Sequence, residues 1–272
     1  MYKIIATDLD GTLLKADQTI SEETKKVLAQ LDERGVIFLP STGRTAYELP
    51  PVLQNLPFLK YVCYCNGAGI YDVINQKSIV EINVDNATLL KTLQYADEHD
   101  IYPTVVVDNV RFVNATEEGT IDFEIMKHAP KAIIENTTPV NNLYKMFEEN
   151  GKDCQKLLFY IDESADKDGI MADLKETFPG LCISSSGRFN IELNHKNANK
   201  GDSLLQLCEF LGLDIKDTIG FGDSDNDIDL LKTAGLSVVT ANGNDNAKQY
   251  ADEICDSCDN DGVRKTLEKY FY

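Results

Sequence analysis

The stretch KIIATDLDGTLLK, residues 3–15, decides the fold of this chain. Its apolar run IIA, residues 4–6, is followed two residues later by Asp8, and Asp10 follows with one residue between the two acids. An unbroken apolar run is typical of a parallel strand that is buried on both faces. The pattern therefore predicts that both carboxylates follow the end of a buried strand. A hairpin turn is the alternative, because Asp-Gly between apolar residues is a strong turn signal.

Two other segments favour a parallel sheet over the hairpin. Ser21 and the glutamates after it predict the start of a helix that Gly35 ends, and VIFLPSTGR predicts the next strand. Strand, helix and strand in this order give two parallel strands, which places Asp8 and Thr42 at the same edge. Near the other end, TIGFGDSDNDIDLLKTAG predicts a third strand, followed by Asp223. Ligands of open parallel sheets bind at this edge.

The middle of the chain has a different pattern. NATLLKTLQYADEHD predicts a helix, YPTVVVD and VRFVNA predict a pair of strands, and KLLFYID and FNIELN predict later strands separated by helical stretches. This pattern is typical of an α+β unit with an antiparallel sheet. We therefore predict an α/β fold whose Rossmann-like parallel-sheet core, residues 1–82 and 187–272, is interrupted by an α+β domain at 83–186. The hairpin-like GIYDVINQKSIVEI fits either side of the first boundary.

The composition indicates a globular protein. The chain has 272 residues, 43% of them hydrophobic, which suffices for one large domain or two of ordinary size. Its apolar stretches are shorter than the roughly 18 residues of a membrane span, and its start lacks a signal-peptide pattern. The seven cysteines are scattered and odd in number, so we expect reduced thiols in a soluble, cytoplasmic protein. We interpret Cys255 and Cys258 as structural despite their redox spacing.

The charge of the chain excludes some partners. The net charge is −19, with 45 acidic residues against 26 basic ones. Nucleic acids and anionic membrane surfaces require a basic face, so we expect neither as a partner. The acidic residues are spread along the sequence as solvated surface. An anionic substrate would therefore require positive charge supplied locally.

Several carboxylates are predicted to meet at the edge of the parallel sheet. They belong to Asp8, Asp10, Asp223 and Asp227. Like charges that share a site raise one another's pKa values, and a divalent cation relieves this repulsion. Oxygen ligands without His or Cys favour Mg²⁺. A calcium loop is the competing interpretation, but DSDNDIDLLKTA lacks the required glycine and glutamate, and SCDNDGVRKTLE has serine and lysine at ligand positions.

Four short motifs occur along the chain in this order: DLDGTLL, TGR with Thr42, NANKGDSL with Lys200, and GDSDNDIDLL. Their order and spacing resemble the haloacid dehalogenase superfamily of phosphotransferases, and within it the Cof-like hydrolases. The segment CNGAGIYD around Asn66 also resembles a recurrent segment of the Cof-like group. The family pattern places a cap domain between the second and third motifs, where the α+β unit is predicted. The Cys-rich ICDSCDNDGV departs from the pattern but lies outside the motifs.

The resemblance implies a phosphatase that hydrolyses phosphate monoesters of small molecules through an aspartyl-phosphate intermediate. Asp8 is then the nucleophile, and Asp10 is first the acid on the leaving oxygen and then the base on water. Thr42 donates a hydrogen bond to a phosphoryl oxygen, and Lys200 offsets charge on Asp8 and on the phosphoryl group. The implied Mg²⁺ site comprises Asp8, the backbone carbonyl of Asp10, Asp223 and Asp227. The expected substrate contacts are Thr42, Gly43, Arg44, Asn66, Lys200 and Asn226.

Other functions and roles remain open at this point. A phosphomutase of the same superfamily would use the same nucleophile, whereas a non-enzymatic binding protein on this fold would not need these groups together. Thr42 alternatively caps a helix, Lys200 is alternatively solvated, and Asp227 alternatively complements a helix dipole.

For several further residues, a structural role is the alternative to a contact with the substrate. Arg44, Asn66 and Asn226 fit turns nearly as well as substrate contacts. In or beside the insert, a few basic side chains are placed to face a substrate, although we expect most of them at the surface. They are His128, His195, Arg111 and Arg188.

Overall fold

The computed structural model describes residues 2–122, 126, 127, 129, 131–185 and 187–272. The strands are β1 (Ile4–Thr7), β2 (Ile37–Pro40), β3 (Tyr61–Tyr64), β4 (Gly69–Asp72), β5 (Lys77–Glu81), β6 (Tyr102–Val107), β7 (Val110–Asn114), β8 (Thr137–Val140), β9 (Lys156–Tyr160), β10 (Leu181–Ser184), β11 (Asn190–His195), β12 (Thr218–Gly222), β13 (Leu236–Thr240) and β14 (Glu253–Cys255). The helices are α1 (Glu22–Glu33), α2 (Pro51–Gln54), α3 (Asn86–Glu98), α4 (Lys131–Glu135), α5 (Leu143–Asn150), α6 (Lys167–Thr177), α7 (Lys200–Leu211), α8 (Ile228–Thr233), α9 (Asp245–Lys248) and α10 (Gly262–Phe271).

Internal contacts divide the chain into two units. The first unit comprises the residues up to Gly43, Leu49–Val80 and Asn199–Tyr272, and the second comprises Arg44–Glu48 and Glu81–Ala198. Each unit has its own sheet and its own hydrophobic core.

The first unit is built on a parallel sheet in the order β14-β13-β12-β1-β2. β1 lies between β12 and β2, with Thr7 level with Phe221 on one side and with Pro40 on the other. The helix α1 connects β1 to β2 and begins at Ser21, whose hydroxyl accepts a hydrogen bond from the Thr24 N–H at 3.1 Å. The predicted parallel sheet is confirmed, and the hairpin alternative for the first motif is wrong because β1 pairs in parallel on both sides.

The core of the first unit explains the unbroken apolar run of β1. Ile4 and Ala6 are fully buried and belong to a cluster that includes Leu204 and Leu207 of α7 and Leu230 of α8. The segment whose assignment was open, GIYDVINQKSIVEI, forms β4 and β5, which extend β3 into a separate three-stranded sheet.

The second unit is an α+β unit, as predicted. Its six-stranded sheet has the order β10-β11-β9-β6-β7-β8 and is antiparallel except for the parallel pair β7–β8. The helices α3, α5 and α6 contribute apolar side chains to the cluster on one face of the sheet. This cluster contains Leu93, Phe147, Leu174, Leu157 and Phe159, among others.

The boundary of the second unit differs from the expected residue 187. β11 pairs with β9 and β10, so its backbone hydrogen bonds are satisfied inside the antiparallel sheet, and the unit continues to Ala198. The short segment Arg44–Glu48 also belongs to the second unit although it precedes the insert in sequence. We call this segment the strap.

Among the described residues, none of the helices is long and apolar enough to cross a lipid bilayer. All seven cysteines are free thiols, and Cys255 and Cys258 are both buried.

Candidate active site

Polar residues follow the ends of three adjacent strands in the first unit. Asp8 comes directly after β1, Thr42 lies two residues beyond β2, and Asp223 comes directly after β12. The Asp8 N–H donates a hydrogen bond to the carbonyl of Phe221 at 2.9 Å, which continues the β1–β12 ladder up to the site. The parallel register thus brings residues from distant parts of the sequence to one edge.

Three carboxylates lie together at this edge, and we call them the carboxylate cluster: Asp8, Asp223 and Asp227. Each offers an oxygen, and these oxygens lie within 4.8 Å of one another. Lys200, the first residue of α7, donates hydrogen bonds to Asp8 Oδ1 and to Asp227 Oδ1, both at 2.6 Å. The side chains of Lys200 and Asp227 are 0% exposed and that of Asp8 is 9% exposed. The alternative of a solvated Lys200 is therefore wrong.

Neighbouring groups hold the other carboxylate oxygens. Asp227 Oδ2 accepts hydrogen bonds from the N–H groups of Asp223 and Ser224, at 2.9 and 3.0 Å. Asp223 accepts from the Thr12 hydroxyl and from the Ser224 hydroxyl, both at 2.8 Å. Gly11 has a φ of +86°, and a Cβ there would lie 2.7 Å from Asp223 Oδ2, so this position requires glycine. Sequence reasoning missed Thr12 and Ser224, although both lie inside the quoted motifs.

Burial governs the titration of the cluster. It raises the pKa of Asp8 well above the usual value, Lys200 opposes this rise, and the charge of Asp227 adds to it. Burial also raises the pKa of Asp223, and Asp227 again adds to the rise. For Lys200, burial lowers the pKa, but the attraction of Asp227 and Asp8 outweighs it and the pKa is raised. Lys200 therefore stays an ammonium, but one cation does not balance the cluster.

The donor set of the cluster fits a hard divalent cation. When all three carboxylates are ionised, they exceed the one ammonium by two negative charges in a largely buried place. The cluster offers only oxygen ligands, without His or Cys, and this set favours Mg²⁺ over zinc.

The side chain of Asp10 lies outside the carboxylate cluster. The side chain is exposed, and its Oδ1 accepts a hydrogen bond from Gln18 Nε2 at 3.0 Å. Its backbone forms an isolated bridge with Leu14, which fixes the loop after β1. This arrangement is compatible with the implied assignment, in which only the Asp10 carbonyl is a metal ligand.

Thr42 is held by its backbone. Its N–H donates to the carbonyl of Cys63, and its own carbonyl accepts from the Asn66 N–H, both at 2.9 Å. Thr42 is 1% exposed, and the next residue, Gly43, is half-buried. The short helical turn that follows is capped by Thr45, whose hydroxyl accepts from the Glu48 N–H at 3.2 Å. The alternative that Thr42 caps this turn is therefore wrong.

The segment CNGAGIYD supports the helix that carries Lys200. A Cβ on Gly67 would lie 2.2 Å from the carbonyl oxygen of Asn199, the residue that caps α7. The Ser203 hydroxyl donates to the carbonyl of Gly67 at 2.9 Å, and Asn226 Nδ2 donates to Asn66 Oδ1 at 3.2 Å. The segment CNGAGIYD therefore contacts the third motif through Gly67 and Ser203 and the fourth motif through Asn66 and Asn226.

Arg44 is not grouped with the residues of the first unit. It belongs to the strap, and its Nη1 donates to the carbonyl of Glu48 at 3.3 Å. The remaining basic candidates have different surroundings: Arg111 is buried, His195 is half-buried, Arg188 is exposed, and His128 lies outside the described residues.

Two carboxylates of the second calcium-loop candidate are paired with cations. The Lys15 ammonium lies 3.3 Å from Asp261 Oδ1, and Arg264 Nη1 donates to Glu268 at 2.7 Å. These ion pairs support our rejection of the segment 257–268 as a calcium loop.

A parallel sheet that ends in a carboxylate cluster with a buried lysine, in a chain with an inserted α+β unit, matches the fold of haloacid dehalogenase-type structures. The chain belongs to the haloacid dehalogenase-like hydrolases, whose family profile matches residues 5–267.

Several characterised proteins are similar to this chain over nearly its whole length. The 5-amino-6-(5-phospho-D-ribitylamino)uracil phosphatase YcsE of Bacillus subtilis is 29% identical over 274 residues, 98% of this chain and 95% of that protein. The phosphatase YitU of the same organism, named for the same reaction, is 27% identical over 98% of this chain and 97% of its own. The structure of the phosphatase BT1666 from Bacteroides thetaiotaomicron superposes with a TM-score of 0.82 at 24% identity, over 99% and 95% of the two chains.

The resemblance based on four motifs is thus confirmed. The family and the relatives together make this chain a phosphatase of the haloacid dehalogenase superfamily.

Proposed function

We propose that the enzyme is a magnesium-dependent phosphatase that hydrolyses phosphate monoesters of small molecules through an aspartyl-phosphate formed on Asp8. The observation that carries this proposal is the 2.6 Å contact of the Lys200 ammonium with Asp8 inside the carboxylate cluster. In a chain of net charge −19, this buried ammonium is the local positive charge that an anionic substrate requires.

Asp8 attacks phosphorus in the proposed reaction. A bond forms between an Asp8 carboxylate oxygen and phosphorus while the bond from phosphorus to the ester oxygen breaks, and Asp10 gives that oxygen its proton. Asp10 then takes a proton from water, whose oxygen attacks phosphorus, so that inorganic phosphate leaves and Asp8 is regenerated. Lys200 and Thr42 stabilise the negative charge on the phosphoryl oxygens in both steps.

Mg²⁺, when bound, would supply further positive charge against the phosphoryl oxygens. Asp8, Asp223 and the backbone carbonyl of Asp10 would hold it. Asp227 would complete the site as a ligand or by orienting a bound water. Its hydrogen bonds from Lys200 and from two backbone N–H groups keep its carboxylate fixed for either task.

Asn66, Asn226, Gly43 and Arg44 remain our candidates for contacts with the substrate. The side chains of Asn66 and Asn226 are linked to each other beside the helix α7, which supports a place near the phosphoryl group. Arg44 would act from the strap.

The proposed substrate is a small phosphate monoester such as a phosphosugar, a nucleotide or a phosphorylated cofactor. The relatives YcsE and YitU are both named for one such ester, which carries its phosphate on a ribityl chain. An insert of about a hundred residues is large enough for an independent domain that acts as a cap. A cap that closes would exclude bulk water, admit a metabolite and obstruct a protein surface.

The test is a comparison of kcat/KM over a broad panel of phosphorylated metabolites, phosphopeptides and folded phosphoproteins. We expect a metabolite to be the best substrate. A folded phosphoprotein that is turned over more efficiently than every metabolite would contradict the proposed substrate class. For the best substrate, a single-turnover experiment distinguishes phosphate release from isomer formation, and isomer formation would favour the phosphomutase alternative.

Asp10→Asn is expected to lower kcat by about a hundredfold to ten-thousandfold and to change KM little, because both proton transfers are lost while binding groups remain. The measurement is steady-state kinetics with the best ester of the panel. Asp17→Asn, an exposed acid of the same loop, is the matched control and should retain wild-type kcat. A changed KM with unchanged kcat in Asp10→Asn would contradict the acid–base role.

A further inference from the structure

The strap, Arg44–Glu48, is anchored to the second unit by side-chain hydrogen bonds. The Ala46 N–H donates to Asn109 Oδ1 at 3.1 Å, and the Thr45 N–H donates to Glu48 Oε2 at 2.9 Å. Asn109 is the turn residue between β6 and β7, and its own N–H donates to Gln155 Oε1 at 2.9 Å. The backbone of the strap is therefore tied to the β6–β7 hairpin.

The strongest link in this anchor is a buried ion pair between Glu48 and Arg111 of β7. Arg111 Nε and Nη2 donate to the two carboxylate oxygens of Glu48 at 2.8 and 3.0 Å, and both side chains are 1% exposed. Two parallel hydrogen bonds fix the relative orientation of the two side chains as well as the distance between them. Arg111 Nη1 also donates to Thr104 Oγ1 at 3.1 Å. Burial opposes ionisation of Glu48, but Arg111 outweighs it and holds the pKa of this carboxyl below its usual value.

A second buried ion pair lies on the same sheet. Lys156 of β9 is 3.1 Å from Glu192 of β11, and these side chains are 2% and 4% exposed. In register, Arg111 and Lys156 both pair with Val106 of β6, so they flank it from its two neighbouring strands. Arg111 and Lys156 carry two positive charges, and Glu48 and Glu192 carry two negative ones. The four side chains therefore form a neutral buried group, to which the strap contributes Glu48. The Lys156–Glu192 pair has similar burial and joins β9 to β11, and the Lys156 ammonium also lowers the pKa of Glu48.

The strap follows directly after the loop of the first unit that contains Thr42. Thr42 is fixed there by hydrogen bonds to Cys63 and Asn66, and only Gly43 separates it from Arg44. Arg44 in turn donates to the carbonyl of Glu48.

We propose that Glu48 and Arg111 are positioning residues for the phosphatase reaction: their ion pair holds the strap on the second unit and thereby holds Arg44 ready to bind the substrate. This inference rests on the proposed function and on the candidate role of Arg44. Asp8, Thr42 and Lys200 are fixed by contacts within the first unit, so loss of the ion pair impairs substrate binding more than the chemical steps.

The experiment compares full-length variants that break the link in different ways. Arg111→Met removes the positive charge, Arg111→Lys keeps the charge but loses the fork of parallel donors, and the double variant Arg111→Met/Glu48→Gln leaves no unpaired charge. The matched control is Lys156→Met/Glu192→Gln, which removes the neighbouring buried ion pair and leaves the Glu48–Arg111 hydrogen bonds in place. Thermal unfolding establishes that each variant is folded.

Two readouts are taken from each variant. We expect Arg111→Met to raise KM about tenfold while kcat stays within about threefold, with Arg111→Lys intermediate and the double variant similar to Arg111→Met. We also expect amide hydrogen exchange in peptides covering residues 44–48 to become at least about tenfold faster in these variants. The control should change stability without either effect.

The outcomes separate this inference from the proposed function. Unchanged exchange over 44–48 in folded Arg111 variants, or faster exchange with unchanged KM, would overturn the inference. An equal rise of KM in the Lys156→Met/Glu192→Gln control would also overturn it, because the effect would then belong to the sheet in general. A wild-type enzyme that hydrolyses none of the esters would contradict the proposed function. Hydrogen exchange would still show whether Arg111 holds the strap. If Arg111→Met does not fold, KM and hydrogen exchange are compared between the wild type, Arg111→Lys and the double variant.

Discussion

Asp8→Asn is expected to lower kcat by about four orders of magnitude or more, because an amide cannot form the phosphorylated intermediate. Asparagine is nearly isosteric with aspartate, and Lys200 still has Asp227 as an ionic partner at 2.6 Å. The variant should therefore fold, and its loss should be chemical. Steady-state kinetics give kcat, and rapid quenching with ³²P-labelled substrate should show phosphorylated protein only for the wild type.

The matched control for Asp8→Asn is Asp229→Asn. Asp229 is an exposed carboxylate in the first turn of α8, where its charge favours the helix dipole by less than about 1 kcal/mol. This variant should keep wild-type kcat within about twofold. Near wild-type turnover in Asp8→Asn, or phosphorylated protein in that variant, would exclude Asp8 as the nucleophile.

Removal of divalent metal is expected to lower activity by at least about a thousandfold, which corresponds to about 4 kcal/mol of transition-state stabilisation. The reason is the charge of the carboxylate cluster, which one lysine does not balance and which would repel an incoming phosphate. Dialysis against a chelator followed by addition of Mg²⁺ should restore turnover. Ca²⁺ should restore it poorly, because it is larger and less demanding of octahedral geometry.

A second readout tests the metal site without the reaction. Mg²⁺ at about a hundred times its dissociation constant stabilises the folded state by about 2.7 kcal/mol, so it should raise the Tm of the metal-free protein. Asp223→Asn should reduce this rise, whereas Asp229→Asn should retain it. Full activity in the presence of chelator would contradict the whole site model, and a Tm independent of Mg²⁺ would contradict binding at the cluster.

The centre of the fold could be predicted from the sequence because its signals are local. The apolar run of β1 and the acids directly after it lie within a few residues, and parallel strands place their carboxyl ends at one edge. The same reasoning predicts that Asp8, Thr42 and Asp223 meet at one edge, whereas only the family resemblance assigned Lys200 to the site. The sequence did not indicate how the remaining oxygens of the cluster are held. A hydroxyl such as that of Thr12 has many possible partners, and only the folded loop selects Asp223.

The extent of the second unit could not be predicted for a related reason. A strand such as β11 pairs through backbone groups that every residue carries, so its pattern reveals a strand but not the sheet that it joins. β8 and β10, four residues each, gave no usable signal because they are short edge strands. The strap was missed because Glu48 and Arg111 are 63 residues apart in sequence, and charged residues are ordinarily interpreted as surface.

The position of β1 between β12 and β2 has a consequence for synthesis of the chain. β2 is available soon after β1, but β12 is made only after more than two hundred residues, including the whole second unit. During translation β1 is therefore an open, strongly apolar edge, the kind of surface on which unfinished chains associate. The sheet of the α+β unit is complete by residue 195, so this unit can fold before β12 has been made. Pairing of β12 with β1 is also the step that brings Asp223 and Asp227 to Asp8, so the carboxylate cluster cannot form before the chain has been made past β12.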